Sequence, residues 1–94
     1  MKFLNYLNEI SGLKVGQWIV QKRSNANEYA IIIDKLLNNE WSVISIDDER
    51  MKPAKKSTKG WYPAPVVISS KDVPVNIKKK MIAELKKRGI SHVF

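Results

Sequence analysis

Three consecutive isoleucines at positions 31 to 33 constrain the fold of this chain more than any other segment. Their branched side chains have restricted χ1 angles and suit the pleated surface of a strand. A second segment, residues 41–47, is rich in Trp, Val and Ile, and the intervening residues 38–40 have the composition of a turn. We therefore interpret residues 28–37 and 41–47 as a β-hairpin. A helix over residues 28–37 is the alternative, because apolar residues there also follow helical spacing. That stripe comprises Tyr29, Ile32, Ile33, Leu36 and Leu37.

Turn signals and short apolar segments alternate along the rest of the chain. Residues 2–11 have helical spacing and precede Gly12, which predicts a short N-terminal amphipathic helix. Residues 16–23 alternate in part and predict a strand, and residues 24–27 have turn composition. Prolines in the apolar segment 63–68 indicate a strand at a sheet edge.

The segment 74–88 predicts a C-terminal amphipathic helix that ends at Gly89. We expect Asp72 or Ser70 to cap its N-terminus, and Pro74 suits its first turn. Its apolar face would comprise Ile77, Met81, Ile82 and Leu85. The opposite face would carry Lys79, Lys80, Lys86 and Lys87.

Together these elements predict one α+β domain over residues 1–94, a length that allows a single modest core. The expected architecture is a short N-terminal helix, an antiparallel sheet of three to four strands and a C-terminal amphipathic helix. The sheet could close into a small SH3-like barrel, or stay open with both helices on one face.

Composition excludes several classes of site and of protein. The chain has no cysteine, so it has neither a disulfide framework nor a thiolate metal site. The longest apolar runs are far shorter than the roughly 20 residues that span a bilayer. We therefore expect a cytoplasmic protein without membrane attachment.

The excess positive charge of the chain lies entirely in its second half. Residues 1–49 hold five basic and seven acidic side chains, whereas residues 50–94 hold twelve basic and two acidic ones, which gives −2 and +10 and sums to +8. Clustered Lys and Arg gain affinity for polyanions by releasing counterions from phosphates. The asymmetry therefore suggests DNA or RNA as a partner, without identifying it.

Residues 48–60 contain little apolar surface and predict a flexible basic loop. Its lysines would contact phosphates. The loop is followed by an aromatic pair, residues 61 and 62, and one of these side chains could stack on an unpaired base. The candidate residues of the loop and the aromatic pair are Arg50, Lys52, Lys55, Lys56, Lys59, Trp61 and Tyr62. Two other interpretations stay open: a solvated loop with a core aromatic anchor, and a surface for an acidic protein.

No catalytic constellation can be assembled from the sequence, so we expect a protein that is not an enzyme and needs no cofactor or metal. The only histidine, His92, is near the end of the sequence. Residues 47–49 are acidic and could bind Mg²⁺ together with Asp34, but such carboxylates are more often a solvated strand end.

We therefore predict a small basic module that binds nucleic acid through phosphate contacts from the 50–59 segment and the C-terminal helix. The alternative is a regulatory or inhibitory protein that docks on an acidic protein partner, of the kind that a phage or mobile element encodes. The sequence leaves specificity and oligomeric state open.

Overall fold

In the residues that the structure describes, one open, antiparallel sheet and one helix form the fold. The computed structural model describes residues 13–37, 40–61 and 64–91. Within these residues, five strands lie in the order β4-β3-β2-β1-β5. Their bounds are β1 Trp18–Lys22, β2 Asn27–Lys35, β3 Trp41–Asp47, β4 Ala54–Ser57 and β5 Val66–Ile68. A 3-10 turn, Ser70–Asp72, then leads into helix α1, Val75–Lys87. The predicted α+β class is confirmed.

The isoleucine segment forms the central strand β2, which pairs with β1 on one side and β3 on the other. Ile31 and Ile33 point to the sheet face that α1 covers, whereas Ile32 points to the opposite face, and all three are buried. A strand buried on both faces reads as a continuous apolar run. The hairpin prediction is therefore confirmed over a helix, and its turn residues 38 and 39 lie outside the described residues.

The two sheet faces carry separate apolar clusters. On the helix side, Ile77, Met81 and Leu85 of α1 pack on buried β2 and β3 isoleucines. On the far side, the cluster contains Ile19, Ala30, Ile32, Trp41 and Val43, with Leu13 and Trp61 packed against it. We call these two faces the helix side and the far side.

Of the two architectures considered for the sheet, the closed SH3-like barrel is wrong. Strands β4 and β5 are the two edges of the sheet, and three strands lie between them. Strand β5 pairs with β1 alone among the described strands, and only over three residues. The edge position predicted for the proline-containing segment is thus confirmed, but the sheet stays open.

Part of the predicted loop 48–60 is a strand. Residues Ala54–Ser57 form β4 and pair with β3 in register from Ser42↔Ser57 to Ser45↔Ala54. Edge strands of natural sheets often carry lysines, because such charges protect the open edge from further pairing. The lysines that suggested a solvated loop are therefore compatible with an edge strand.

The C-terminal helix agrees with the prediction except at two points. Its N-cap is Pro74, with no side-chain capping hydrogen bond, and the expected caps Ser70 and Asp72 belong to the preceding 3-10 turn. Ile82, predicted on the buried face, is 39% exposed. The stop at Gly89 is confirmed: its φ is 71°, and the N–H groups of Gly89 and Ile90 donate to Lys86 and Leu85 carbonyls in a Schellman arrangement.

The predicted N-terminal helix, residues 2–11, lies outside the described residues. In the part of the chain that is described, no helix is long and apolar enough to cross a membrane.

Candidate nucleic-acid interface

Helix α1 is linked to the turn between β3 and β4 by one hydrogen bond. The Nζ group of Lys80 donates to the carbonyl oxygen of Met51 at 3.0 Å. The Met51 side chain packs against the helix-side cluster, and its backbone N–H donates to the Asp47 carbonyl. Met51 also has a φ of 58°, a left-handed conformation that non-glycine residues adopt only when several contacts hold them. The turn that carries Arg50 and Lys52 is therefore held beside α1.

The carboxylates at the end of β3 are used within this turn. Oδ1 of Asp47 accepts hydrogen bonds from the backbone N–H groups of Glu49 and Arg50. Oδ1 of Asp48 accepts from the backbone N–H of Asn27 at 3.0 Å. These acidic side chains thus have a structural task in shaping the turn.

The cation site considered for these carboxylates is not assembled. Asp34 pairs with Ser42 near one end of β2, whereas Asp47 pairs with Glu28 near the other. Among the described residues, no group of three acidic or histidine side chains is placed to hold a metal ion.

Four of the five lysines of α1 project on two sides of the helix that the sheet does not cover. Because the buried residues Ile77, Met81 and Leu85 define the sheet-facing side, Lys79 and Lys86 point away from the sheet. Lys87 lies two turns after Lys80 and therefore on the same flank, the flank that contacts Met51. These four lysines are exposed, whereas the fifth, Lys78, is partly buried. Helix α1 thus presents two rows of cations, one outward and one toward the turn.

Two adjacent lysines of β4 have opposite orientations. Lys55 pairs with Ile44, whose side chain is on the helix side, whereas Lys56 pairs with Val43, whose side chain is on the far side. Side chains alternate across a strand, so the pleat alone separates them. Lys55 is therefore on the side of the sheet that carries α1, and Lys56 is not.

Lys56 forms an ion pair with the buried carboxylate of Glu28. Its Nζ donates to Oε2 of Glu28 at 2.9 Å, and Nη2 of Arg23 lies 2.6 Å from Oε1 of the same residue. The Glu28 side chain is 1% exposed, whereas Arg23 and Lys56 are about half exposed. This cluster links the β1–β2 turn to the edge strand β4 across the far side of the sheet.

Glu28 is the residue that sequence reasoning missed. In the sequence it is one polar residue between Asn27 and Tyr29, which resembles a solvated position. Glu28 precedes Ala30 by two residues and Ile32 by four, and alternation along a strand therefore places its side chain on the same buried face of β2. That signal is usable only after the strand and its direction of burial are known.

The other predicted contact residues lie apart from α1. Trp61 is partly buried against the far-side cluster, and its backbone N–H donates to the Thr58 carbonyl. Lys59 is exposed beyond the end of β4, and its backbone N–H donates to Oγ of Ser57. Tyr62 and His92 lie outside the described residues. The structure thus brings some predicted residues together and separates others.

We define the basic surface as the predicted cations that lie in the β3–β4 turn, on the helix side of β4 and on α1. Its members are Arg50, Lys52, Lys55, Lys79, Lys80, Lys86 and Lys87, all exposed.

Comparison of the chain with protein-family models, with curated proteins and with solved structures found no match. Its functional interpretation therefore depends on the geometry described above.

Proposed function

We propose that this protein binds nucleic acid through the basic surface, by contacts with phosphates. The hydrogen bond from Lys80 to Met51 is the observation that carries the proposal, because it joins two lysine-bearing segments that are distant in sequence. Cations on neighbouring elements contact the same polyanion, and each phosphate they neutralise releases counterions.

Local acids cancel only part of this charge. Asp47 and Asp48 accept backbone hydrogen bonds in the turn, and Glu84 forms an ion pair with Arg88 on α1. The seven cations of the basic surface outnumber the four acidic side chains of the turn and of α1, which are Asp47, Asp48, Glu49 and Glu84, and this excess favours a polyanion over a small single-charge ligand.

The composition of the surface favours phosphate contact without base readout. Lysine acts as a point charge on phosphate, whereas the planar guanidinium of arginine is the group best suited to bidentate recognition of guanine in the major groove. Arg50 is the single arginine of the surface, and Arg23 lies on the far side with Glu28. The stacking role considered for Trp61 loses support, because that residue packs against the far-side cluster. We therefore propose binding with little sequence preference.

A fluorescence anisotropy titration tests this function. Labelled single-stranded and duplex oligonucleotides of mixed sequence are titrated with the protein at several salt concentrations. If about four to six phosphates are contacted, log K should fall with log salt with a slope of about −4 to −5 on duplex DNA. No binding at low ionic strength would refute the proposal. A pull-down from lysate that survives nuclease treatment would instead favour an acidic protein partner.

A further inference from the structure

The two edges of the sheet differ in charge. The outer edge strand β4 carries Lys55 and Lys56, the kind of residue that discourages edge-to-edge pairing. Strand β5 at the other edge consists of Val66, Val67 and Ile68 and carries no charge. Val66 is 58% exposed and Val67 is 47% exposed. Among the described residues, one edge therefore carries charges that oppose further pairing, and the other edge carries no charge and has no strand paired to its outer side.

The backbone of β5 presents one residue outward. Backbone groups of successive residues in an antiparallel strand point alternately to opposite neighbours. The N–H of Ile32 donates to the Gln17 carbonyl, so Gln17 and Ile19 point to β2, and Trp18 and Val20 point to β5.

It follows from the pairs Trp18↔Ile68 and Val20↔Val66 that Ile68 and Val66 bond inward. The N–H and carbonyl of Val67 consequently point away from the sheet, and Pro65 has no N–H to offer at the next outward position. Val67 is thus the centre of the open edge.

We propose that β5 pairs with β5 of a second copy of this chain, antiparallel and with the two-fold axis at Val67. In that register the two Val67 residues exchange two N–H···O bonds, and Val66 of each copy lies opposite Ile68 of the other. All the cross-strand pairs are then between β-branched aliphatic side chains, which stabilise antiparallel sheets.

A second copy fits this edge better than open-ended assembly does. Pairing of β5 with β4 of another copy would be heterologous and could continue into a filament, but the β4 lysines oppose it. Pairing of β5 with β5 is isologous and closes after two copies, which yields a dimer with one continuous sheet that joins the five strands of each copy.

Salt separates this association from polyanion binding. Each copy has a net charge of +8, so two copies repel each other at low ionic strength. The apolar edge contact is not weakened by screening, and the dimer should therefore become stronger as salt rises. Nucleic-acid binding should become weaker over the same range. The dimer does not depend on the proposed function.

Sedimentation velocity of the full chain over a wide concentration range, at low and high salt, tests the dimer. Wild-type protein should show a monomer–dimer equilibrium that shifts toward dimer at high salt. Val67→Lys and Val67→Glu should each be monomeric, because each places like charges opposite one another at the two-fold axis. An equimolar mixture of the two variants should recover a dimer, since the introduced lysine of one copy then faces the introduced glutamate of the other.

Val75→Lys and Val75→Glu are matched controls. Val75 is 64% exposed on α1, so the same changes of charge occur away from the edge, and wild-type dimerisation should persist. Circular dichroism confirms that each variant is folded. The inference is overturned if the wild type is monomeric at every concentration and salt. It is equally overturned if its dimer survives Val67→Lys, or if the mixed variants stay monomeric.

Discussion

Lys56 on the edge strand β4 donates a hydrogen bond to Glu28 on the central strand β2, at 2.9 Å, across the full width of β3. The preceding residue, Lys55, projects from the helix side of the same strand. Two adjacent lysines therefore have different tasks: one compensates a buried carboxylate, and the other contributes to the basic surface.

Removing both cations from Glu28 should destabilise the protein more than removing the carboxylate. In Arg23→Met/Lys56→Met the Glu28 carboxylate stays buried without a cation, and such a loss costs about 3–5 kcal/mol. In Glu28→Gln the two cations are about half exposed and regain water, so we expect only about 1–2 kcal/mol. Urea unfolding of both variants measures the difference.

The corresponding single variants provide the internal check. Arg23→Met or Lys56→Met alone leaves Glu28 one partner, so their two effects should sum to less than that of the double variant. Simple additivity, or a double variant as stable as the wild type, would contradict a shared carboxylate.

Lys80→Met should affect both stability and binding. It removes the hydrogen bond to the Met51 carbonyl, which we expect to cost about 0.5–1.5 kcal/mol at this exposed position. It should also reduce the salt slope of nucleic-acid binding by about one. Lys79→Met is the control with the same change of charge, because Lys79 points away from the sheet: its stability should stay within about 0.5 kcal/mol of the wild type. Equal stability losses in the two variants would contradict a structural task for Lys80.

Met81 and Ile82 distinguish the buried from the exposed side of α1. Met81 is fully buried and Ile82 is 39% exposed, although the two residues are adjacent. Met81→Ala should therefore cost about 2–5 kcal/mol, and Ile82→Ala clearly less than that. Chemical denaturation of the two variants provides the comparison. A larger loss for Ile82→Ala would mean that the helix packs with a different face.

The central hairpin and the C-terminal helix were predictable from the sequence because their signals are local. The branched side chains of the isoleucine segment favour a strand at their own positions. Gly89 ends the helix that immediately precedes it. The helical stripe included Ile82 because periodicity gives the direction of an apolar face, but not the width that the sheet covers.

The features that the sequence did not predict depend on pairing between distant segments. Residues Ala54–Ser57 form a strand because their backbone pairs with the edge of β3. Their lysine-rich composition, taken alone, is typical of a loop. The buried carboxylate of Glu28 is compensated by Lys56, which lies 28 positions away in the sequence. Closure of the sheet likewise depends on where β5 pairs, and no local signal fixes that choice.

Lys55 and Lys56 project from opposite faces of the sheet, and a comparison of variants at these two positions is therefore the most direct test of the basic surface. The measurement is the salt dependence of nucleic-acid affinity for Lys55→Gln and Lys56→Gln, two variants with identical chemistry at adjacent positions. Lys55→Gln should reduce the slope by about one, whereas Lys56→Gln should leave it unchanged, because that charge serves Glu28 on the far side. Equal reductions in both variants, or a reduction in Lys56→Gln alone, would contradict binding through the helix side of the sheet.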